Sequence, residues 1–116
     1  MLKRFLTMLA ILLFSLSFSQ TTGKASWYGD KHQGKKTASG EVFDMYKMTC
    51  ASMVYPLGTR LKVTNPENDK SVIVKVNDRG GFGKYGRILD LSKGAFAEIA
   101  STGKGIITIV IEVVNN

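Results

Sequence analysis

A chain of 116 residues with 16 Lys and Arg against 9 Asp and Glu carries a formal net charge of +7. This length can close one hydrophobic core and excludes a second module of ordinary domain size. The positive charge favours an acidic partner, but the sequence has neither a basic helix nor an interleaved basic and aromatic surface, which argues against nucleic acid. A basic surface that only keeps the protein soluble is the alternative.

The first 19 residues have the pattern of a secretory signal peptide. Lys3-Arg4 forms the basic region, residues 5–18 are mostly apolar, and Ser17 and Ser19 are the small residues of a cleavage site. The apolar run is shorter than the roughly 20 residues of a membrane anchor, and no Cys lies near it to carry a lipid. We therefore expect cleavage after Ser19, export to the periplasm or beyond without a stable membrane anchor, and one domain over residues 20–116. Two of the sixteen basic residues lie in the leader, so this domain has a net charge of 14 − 9 = +5.

Short strands dominate the predicted elements. In chain order the strand-like segments are residues 23–28, 59–64, 71–76, 87–89 and 106–114. The segments at 59–64 and 71–76 alternate with period two around a polar turn and are predicted to form a hairpin. Residues 42–51 fit no single pattern.

One helix is predicted over residues 93–100. Ser92 is a suitable N-cap, and apolar residues recur on one face of the segment. Gly103 is expected to supply the stop signal. Several short strands with one or two short helices indicate an all-β barrel.

Two glycine-rich segments resemble nucleotide-binding motifs but lack the required context. Residues 29–36 have Lys36 where a phosphate-binding loop needs a Ser or Thr for magnesium. Residues 81–86 match G-x-G-x-x-G, but a strand pattern follows them where a dinucleotide fold needs a helix. The sequence therefore predicts no cofactor, and these glycines are better explained as a loop that a long substrate can approach closely.

The single cysteine and single histidine point to no metal site. Cys50 lies between small and apolar residues and is predicted to be a core residue, because free Cys is commonly buried. His32 lies among Lys and Gly residues and is expected to be a solvated loop residue. A zinc site would need several such donors.

Three acids are the candidate chemical groups. Asp78 follows the alternating run at 72–76 and precedes a glycine-rich loop, Asp90 ends the next short strand, and Glu41 follows a loop glycine. Breaking a glycosidic bond needs an acid for the leaving oxygen and an anion or nucleophile for the developing oxocarbenium ion. These carboxylates can supply such groups.

Four ordered motifs carry a family resemblance. They are Gly40-Glu41, Pro56-Leu57-Gly58-Thr59, Asn77-Asp78-Arg79-Gly80 and Asp90-Leu91-Ser92. Together they closely resemble the core motifs of the rare lipoprotein A family, which is similar to expansins and barwin-like proteins. The resemblance covers roughly residues 23–114. It implies a six-stranded double-psi β-barrel and a monomeric lytic transglycosylase that acts on peptidoglycan glycan strands without a cofactor or metal.

The resemblance also implies roles for the matching residues. Asp78 would be the general acid and base, and Glu41 would orient it or stabilise charge. Asp90 is the third catalytic candidate, although an acid before a helix N-terminus can be purely structural. Asn77 and Tyr28 are expected to contact the substrate, with Tyr28 exposed in the groove as a flat face for a sugar ring.

Two further residues complete the candidate site. Arg79 is assigned to substrate binding, and it is predicted to pair with Asp78 or Asp90, which would hold and orient the charged acid. Ser52 stands where family members commonly have His. Its hydroxyl can orient a carboxylate or a substrate hydroxyl, but it cannot carry charge near neutral pH as imidazole can.

Because of Ser52, a non-catalytic, expansin-like glycan-binding module is the alternative to an enzyme. A partner-binding domain that uses only the basic surface is a third possibility. Fold similarity cannot choose among them, because function depends on the site.

Overall fold

The computed structural model describes residues 20–80 and 86–114. Six strands and one α-helix make up the fold. They are β1 Gln20–Tyr28, β2 Thr49–Ala51, β3 Arg60–Asn65, β4 Lys70–Asp78, β5 Arg87–Ser92, α1 Lys93–Ile99 and β6 Ile107–Val113, with 3-10 turns at Asp30–His32 and Thr102–Lys104. The predicted signal peptide and residues 81–85 of the glycine-rich motif lie outside the described residues.

The six strands close into a barrel in the order β1-β5-β2-β4-β3-β6. The pairs β1·β5 and β2·β4 are parallel, and the remaining pairs are antiparallel. The buried apolar side chains include Ala25, Cys50, Leu61, Val63, Val74, Val76, Leu89, Leu91, Ile109 and Ile111. The predicted all-β, six-stranded barrel is confirmed. No helix in the described part of the chain is long and apolar enough to cross a membrane.

Strand pairing extends several predicted strands. β1 begins at Gln20, which pairs with Glu112 of β6. β5 continues to Ser92, which pairs with Tyr28 of β1, so Asp90 lies inside a strand rather than at its end. The ambiguous segment contributes only the three residues of β2, which sit between β4 and β5. Its strand character depends on these neighbours, because three residues carry too little local signal.

The predicted helix start is confirmed, and the predicted stop is wrong. The Ser92 Oγ accepts a hydrogen bond from the Ala95 amide at 3.1 Å, as an N-cap does. The helix ends at Ile99, before Gly103, because Ala100 is already extended. The side-chain amides of Asn65 and Asn68 donate to the Ile99 carbonyl at 2.8 and 3.0 Å. Side chains at the β3–β4 turn therefore supply the hydrogen bonds to the last helical carbonyl, at the helix end where Gly103 was expected to act as the stop signal.

Candidate active site

The strand register places two of the acids in one row across four strands. Ser26 pairs with Asp90, Asp90 pairs with Ala51, and Ala51 pairs with Asp78. Neighbouring strands are about 4.8 Å apart, so the backbones of Asp78 and Asp90 are separated by about 10 Å. The neighbours Leu89 and Leu91 are buried in the core, and the row therefore lies on the outer face of the barrel.

A β-bulge sets the direction of Asp78. Cys50 pairs with Val76 and Ala51 pairs with Asp78, which leaves Asn77 as an extra residue in β4. In a regular strand Asp78 would face the core like Val76, because side chains alternate with period two. The extra residue turns the Asp78 carboxylate outward instead, a re-aiming that is common where bulges lie beside functional sites.

Backbone amides hold one oxygen of Asp78. The Oδ1 atom accepts hydrogen bonds from the amides of Ala38 and Arg79, each at 2.9 Å. The Oδ2 atom accepts a longer bond of 3.4 Å from the Tyr28 hydroxyl. The half-buried carboxylate is thus fixed through Oδ1, and Oδ2 keeps the capacity to exchange a proton.

The Tyr28 hydroxyl is a hydrogen-bond donor to Asp78, and one face of its ring is covered. Its half-buried ring stacks on Phe43 with centroids 4.5 Å apart, and His32 meets the ring edge-on at 5.2 Å. Burial, followed by the charges of Asp78 and Asp90, raises the pKa of the Tyr28 hydroxyl. The hydroxyl stays protonated and acts as a donor to Asp78. Tyr28 is thus only partly exposed, because Phe43 covers one ring face, and its expected contact with a sugar ring in the groove stays a prediction.

Asp90 is half-buried and has a different set of hydrogen-bond partners from Asp78. Its Oδ1 atom accepts a hydrogen bond of 3.0 Å from the Ser26 hydroxyl, which itself accepts one of 3.1 Å from Arg87. Burial raises the pKa of Asp90, while the Ser26 bond and the charge of Arg87 act in the opposite direction. Burial outweighs these two effects, so the pKa lies above the ordinary Asp value.

Glu41 lies on a loop that is joined to the end of β4. Thr37 and Glu41 bracket a turn in which Gly40 has a φ of +88°, a conformation that favours glycine. The Glu41 carboxylate accepts hydrogen bonds from Lys75 at 2.8 Å and from Ser39 at 3.2 Å. The hydrogen bond from Lys75 is the largest contribution that lowers the pKa of Glu41. The carboxylate is therefore an exposed, permanently ionised group near neutral pH.

The predicted pairing of Arg79 with an acid is wrong. Its Nη1 atom donates to the carbonyls of Ser52 and Tyr55, at 3.0 and 2.9 Å. Among the residues that the structure describes, no ion pair joins Arg79 to Asp78 or Asp90. Through these two hydrogen bonds, the Arg79 side chain connects the chain directly after Asp78 to the loop that follows β2.

Ser52 also acts on the backbone. Its side chain is fully buried, and its Oγ accepts hydrogen bonds from the amides of Val54 and Tyr55, both at 3.0 Å. Its own amide donates to the Asp78 carbonyl at 3.0 Å. This geometry makes Ser52 a residue that positions the loop and the end of β4. Direct contact with the substrate, as the motif match suggested, stays a prediction.

Asn77, the bulge residue, is buried. Its carbonyl accepts a hydrogen bond of 3.1 Å from the Ser39 amide, and its side chain contributes to the lowered pKa of Glu41. Its Oδ1 atom has no partner in the described residues. Whether this amide contacts the substrate also stays a prediction.

The remaining candidates of the sequence are settled by burial and position. Cys50 is a core residue as predicted, and burial raises the pKa of its thiol to about 12, so it is not a nucleophile near neutral pH. His32 is exposed as expected. Within residues 20–80 and 86–114, no three His, Cys, Asp or Glu side chains are grouped to hold a metal ion.

Sequence reasoning missed four contributors to the site. They are the Ala38 amide, Ser26, Phe43 and Lys75. A backbone amide leaves no sequence signal, whereas Lys75 stands at a polar position three residues before Asp78 and could have been considered. The assembled site has one amide-held carboxylate, a protonated tyrosine beside it, a fixed anion and a second, half-buried acid. Such a set can donate a proton, recover it and stabilise positive charge.

The chain is similar to known proteins in sequence. Residues 20–111 match the model of a family described as lytic transglycolase. The endolytic peptidoglycan transglycosylase RlpA of Vibrio cholerae is 48% identical over 93 residues, which cover 80% of this chain and 35% of that protein. The chain thus spans about a third of the length of this relative.

Solved structures show the same barrel. An apo expansin of Clavibacter michiganensis is 30% identical, with a TM-score of 0.68 over 84% of this chain and 52% of the expansin. A mutant of that organism's expansin in complex with cellohexaose is 26% identical, with a TM-score of 0.65 over 84% of this chain and 51% of the expansin. These neighbours confirm the double-psi β-barrel fold. Because its family model matches most of the chain, the protein belongs to the family described as lytic transglycolase.

Proposed function

We propose that this protein is a peptidoglycan lytic transglycosylase that cleaves the β-1,4 bond between N-acetylmuramic acid and N-acetylglucosamine. The observation that carries the proposal is the Asp78 carboxylate, whose Oδ1 is held by two amides while Oδ2 retains the capacity for proton transfer. Family membership and the Vibrio cholerae relative support the substrate class.

The proposed reaction uses Asp78 twice. Protonated Asp78 gives its proton to the leaving O4 as the C1–O4 bond breaks, and the ionised Glu41 stabilises the positive charge that develops on the sugar. The muramyl 6-hydroxyl then bonds to C1 and returns its proton to Asp78. The products are a new 4-hydroxyl end and a 1,6-anhydro end, and no water is consumed. Asp90 takes no part in this scheme, and it is the alternative general acid if Asp78 proves dispensable.

The test is product analysis with isotopic water. The protein is incubated with purified sacculi and with peptide-free glycan strands in H₂¹⁸O, and the released fragments are analysed by mass spectrometry. Anhydro ends without ¹⁸O are expected. Reducing ends that carry ¹⁸O would identify a hydrolase and contradict the proposal. Glycan strands in which the muramyl 6-hydroxyl is acetylated serve as a control and should resist cleavage.

A non-catalytic, expansin-like glycan-binding function is the second candidate. Ser52 favours it, because this buried, fully engaged hydroxyl supplies no ionisable group where family members commonly have His. The expansin that was solved with cellohexaose shows a glycan ligand on a related barrel. Binding to sacculi without release of any fragment would select this function.

We further infer that the protein acts outside the cytoplasm as a monomer. The sequence pattern of residues 1–19 and the peptidoglycan-directed relative support export. Intact-mass analysis of the exported protein should show Gln20 as the first residue, and retention of Met1 would contradict the predicted cleavage. Light scattering of the purified protein should give the mass of one chain.

A further inference from the structure

The loop that carries Glu41 is attached to β4 at three successive points. The Ala38 amide binds the Asp78 carboxylate at 2.9 Å, and the Ser39 amide binds the Asn77 carbonyl at 3.1 Å. The third attachment is the ion pair between the Lys75 Nζ and the Glu41 Oε2, 2.8 Å apart. The first two hold the loop backbone, and only the third joins the Glu41 side chain to a charged side chain of the strand.

The exposure of both side chains argues against a role for this ion pair mainly in stabilising the fold. The side chains of Lys75 and Glu41 are 43% and 46% exposed. Exposed ion pairs contribute little to folding, because water screens the attraction and two long side chains lose rotamer freedom. A short, exposed pair beside a candidate acid is better explained by its effect on the position of the carboxylate.

A second side chain donates to the same carboxylate. The Ser39 hydroxyl donates to Oε1 at 3.2 Å and is itself hydrogen-bonded to Thr37 at 2.9 Å. The buried Asn77 side chain also lowers the pKa of Glu41, after the larger contribution of Lys75. Both carboxylate oxygens thus accept a hydrogen bond, Oε2 from Lys75 and Oε1 from Ser39.

We propose that Lys75 is a positioning residue that holds the Glu41 carboxylate in place against the end of β4. This inference rests on the proposed function, in which Glu41 is the fixed anion that stabilises the oxocarbenium ion. A carboxylate that is already held needs no reorganisation when the charge develops, which is the condition for effective electrostatic stabilisation. Lys75 touches no reacting atom in this scheme and acts through Glu41.

The effect of losing Lys75 on titration has a definite sign. The Lys75 hydrogen bond lowers the pKa of Glu41, so its removal raises that pKa toward the ordinary value. Protonation of Glu41 removes the stabilising anion as the pH falls. The acid limb of the pH–rate profile therefore moves to higher pH when Lys75 is replaced by a neutral residue.

The experiment compares Lys75→Met, Lys75→Arg and Lys104→Met. Lys104 provides the matched control, because it forms the other described ion pair, with Glu67 at 3.4 Å and outside the site. Two quantities are measured: the ¹³C titration of the Glu41 carboxyl in glutamate-labelled protein, assigned with Glu41→Gln, and anhydro-product release against pH.

In Lys75→Met the Glu41 titration and the acid limb should both move to higher pH. Turnover at the optimum should fall about tenfold, since misplacement of about 1 Å can cost up to about 10²-fold. Lys75→Arg should restore both readouts, and Lys104→Met should leave them unchanged with an equal melting temperature.

An unchanged Glu41 titration in folded Lys75→Met overturns the inference, whether or not the protein is an enzyme. A shifted titration with unchanged turnover also overturns it, because the ion pair would then have no role in the reaction. If the parent protein releases no anhydro product, the proposed function fails separately. Retention on peptide-free glycan strands then decides: the positioning role survives only if Lys75→Met weakens retention and Lys75→Arg restores it.

Discussion

Asp78 and Asp90 lie in the same row of paired residues, but their surroundings differ. Two amides hold Asp78 at the end of a strand, beside the loop that carries Glu41. Asp90 lies inside β5, where burial raises its pKa and a serine is its hydrogen-bond donor. The comparison shows that position in a barrel row does not define a role. The two acids differ in the number of their hydrogen-bond donors, three for Asp78 and one for Asp90, and we expect this difference to separate their roles.

The largest expected effect separates the two acids by turnover. Asp78→Asn keeps the shape of the side chain and removes the proton carrier, so anhydro-product release should fall by on the order of 10²-fold or more. Asp90→Asn should lower release by less than about tenfold, because Asp90 lies outside the proposed proton path. Melting curves verify folding, and glycan pull-down should persist in both variants. Near-normal turnover in folded Asp78→Asn would make Asp90 the leading acid.

The next largest expected effect concerns the stability of the turn at Ser52, which is hydrogen-bonded to the backbone of Asp78. Ser52→Ala removes the buried acceptor of the Val54 and Tyr55 amides, in a turn whose Val54 side chain is exposed. The free energy of unfolding should fall by about 1 kcal/mol, the typical net contribution of a hydrogen bond, because water can reach the freed amides. Urea denaturation measures this change, and Ser101→Ala is the control, because Ser101 is exposed and its side chain makes no capping hydrogen bond. Unchanged stability would mean that water replaces the hydroxyl and that Ser52 does not hold the turn.

A smaller effect on turnover is expected when Asp78 loses its hydrogen bond from the Tyr28 hydroxyl. Tyr28→Phe keeps the stacking on Phe43 and removes the hydroxyl that donates to Asp78 at 3.4 Å. We expect turnover to fall by about tenfold, less than the roughly 10²-fold or more for losing a general acid or base itself, because Tyr28 acts only through Asp78. The melting temperature should change little, since the ring is retained. Equal turnover of the two proteins would show that the long hydrogen bond has no part in the reaction.

The smallest effect concerns Asp90 and stability. Because burial raises its pKa, the folded state holds the charged form less well than the unfolded state, and stability falls as the pH rises through the folded pKa. Asp90→Asn should therefore stabilise the protein near neutral pH by on the order of 1 kcal/mol. The gain should vanish below the ordinary Asp pKa of about 3.9. Thermal unfolding at a series of pH values provides the measurement, and a loss of stability at neutral pH would show that the Ser26 bond outweighs burial.

Much of the barrel could be predicted because its signals are local. Alternation at 71–76 predicted most of β4, and the hydroxyl of Ser92 predicted the start of α1. The motif around Asp78 also selected the acid that the backbone amides hold. These predictions depend on side-chain period, N-cap chemistry and a strand end, all of which lie within a few neighbouring residues.

The tertiary structure decided what distant residues impose on one another. The bulge at Asn77 turns Asp78 out of the core, and its position depends on pairing with β2, a strand too short to be predicted alone. Arg79 binds two carbonyls of a remote loop instead of an acid, because the fold brings unpaired acceptors within its reach. The environment of Asp90 likewise depends on burial by neighbouring strands. Sequence therefore determined which acids are available, whereas register, desolvation and hydrogen-bond geometry determined the different surroundings in which each acid is placed.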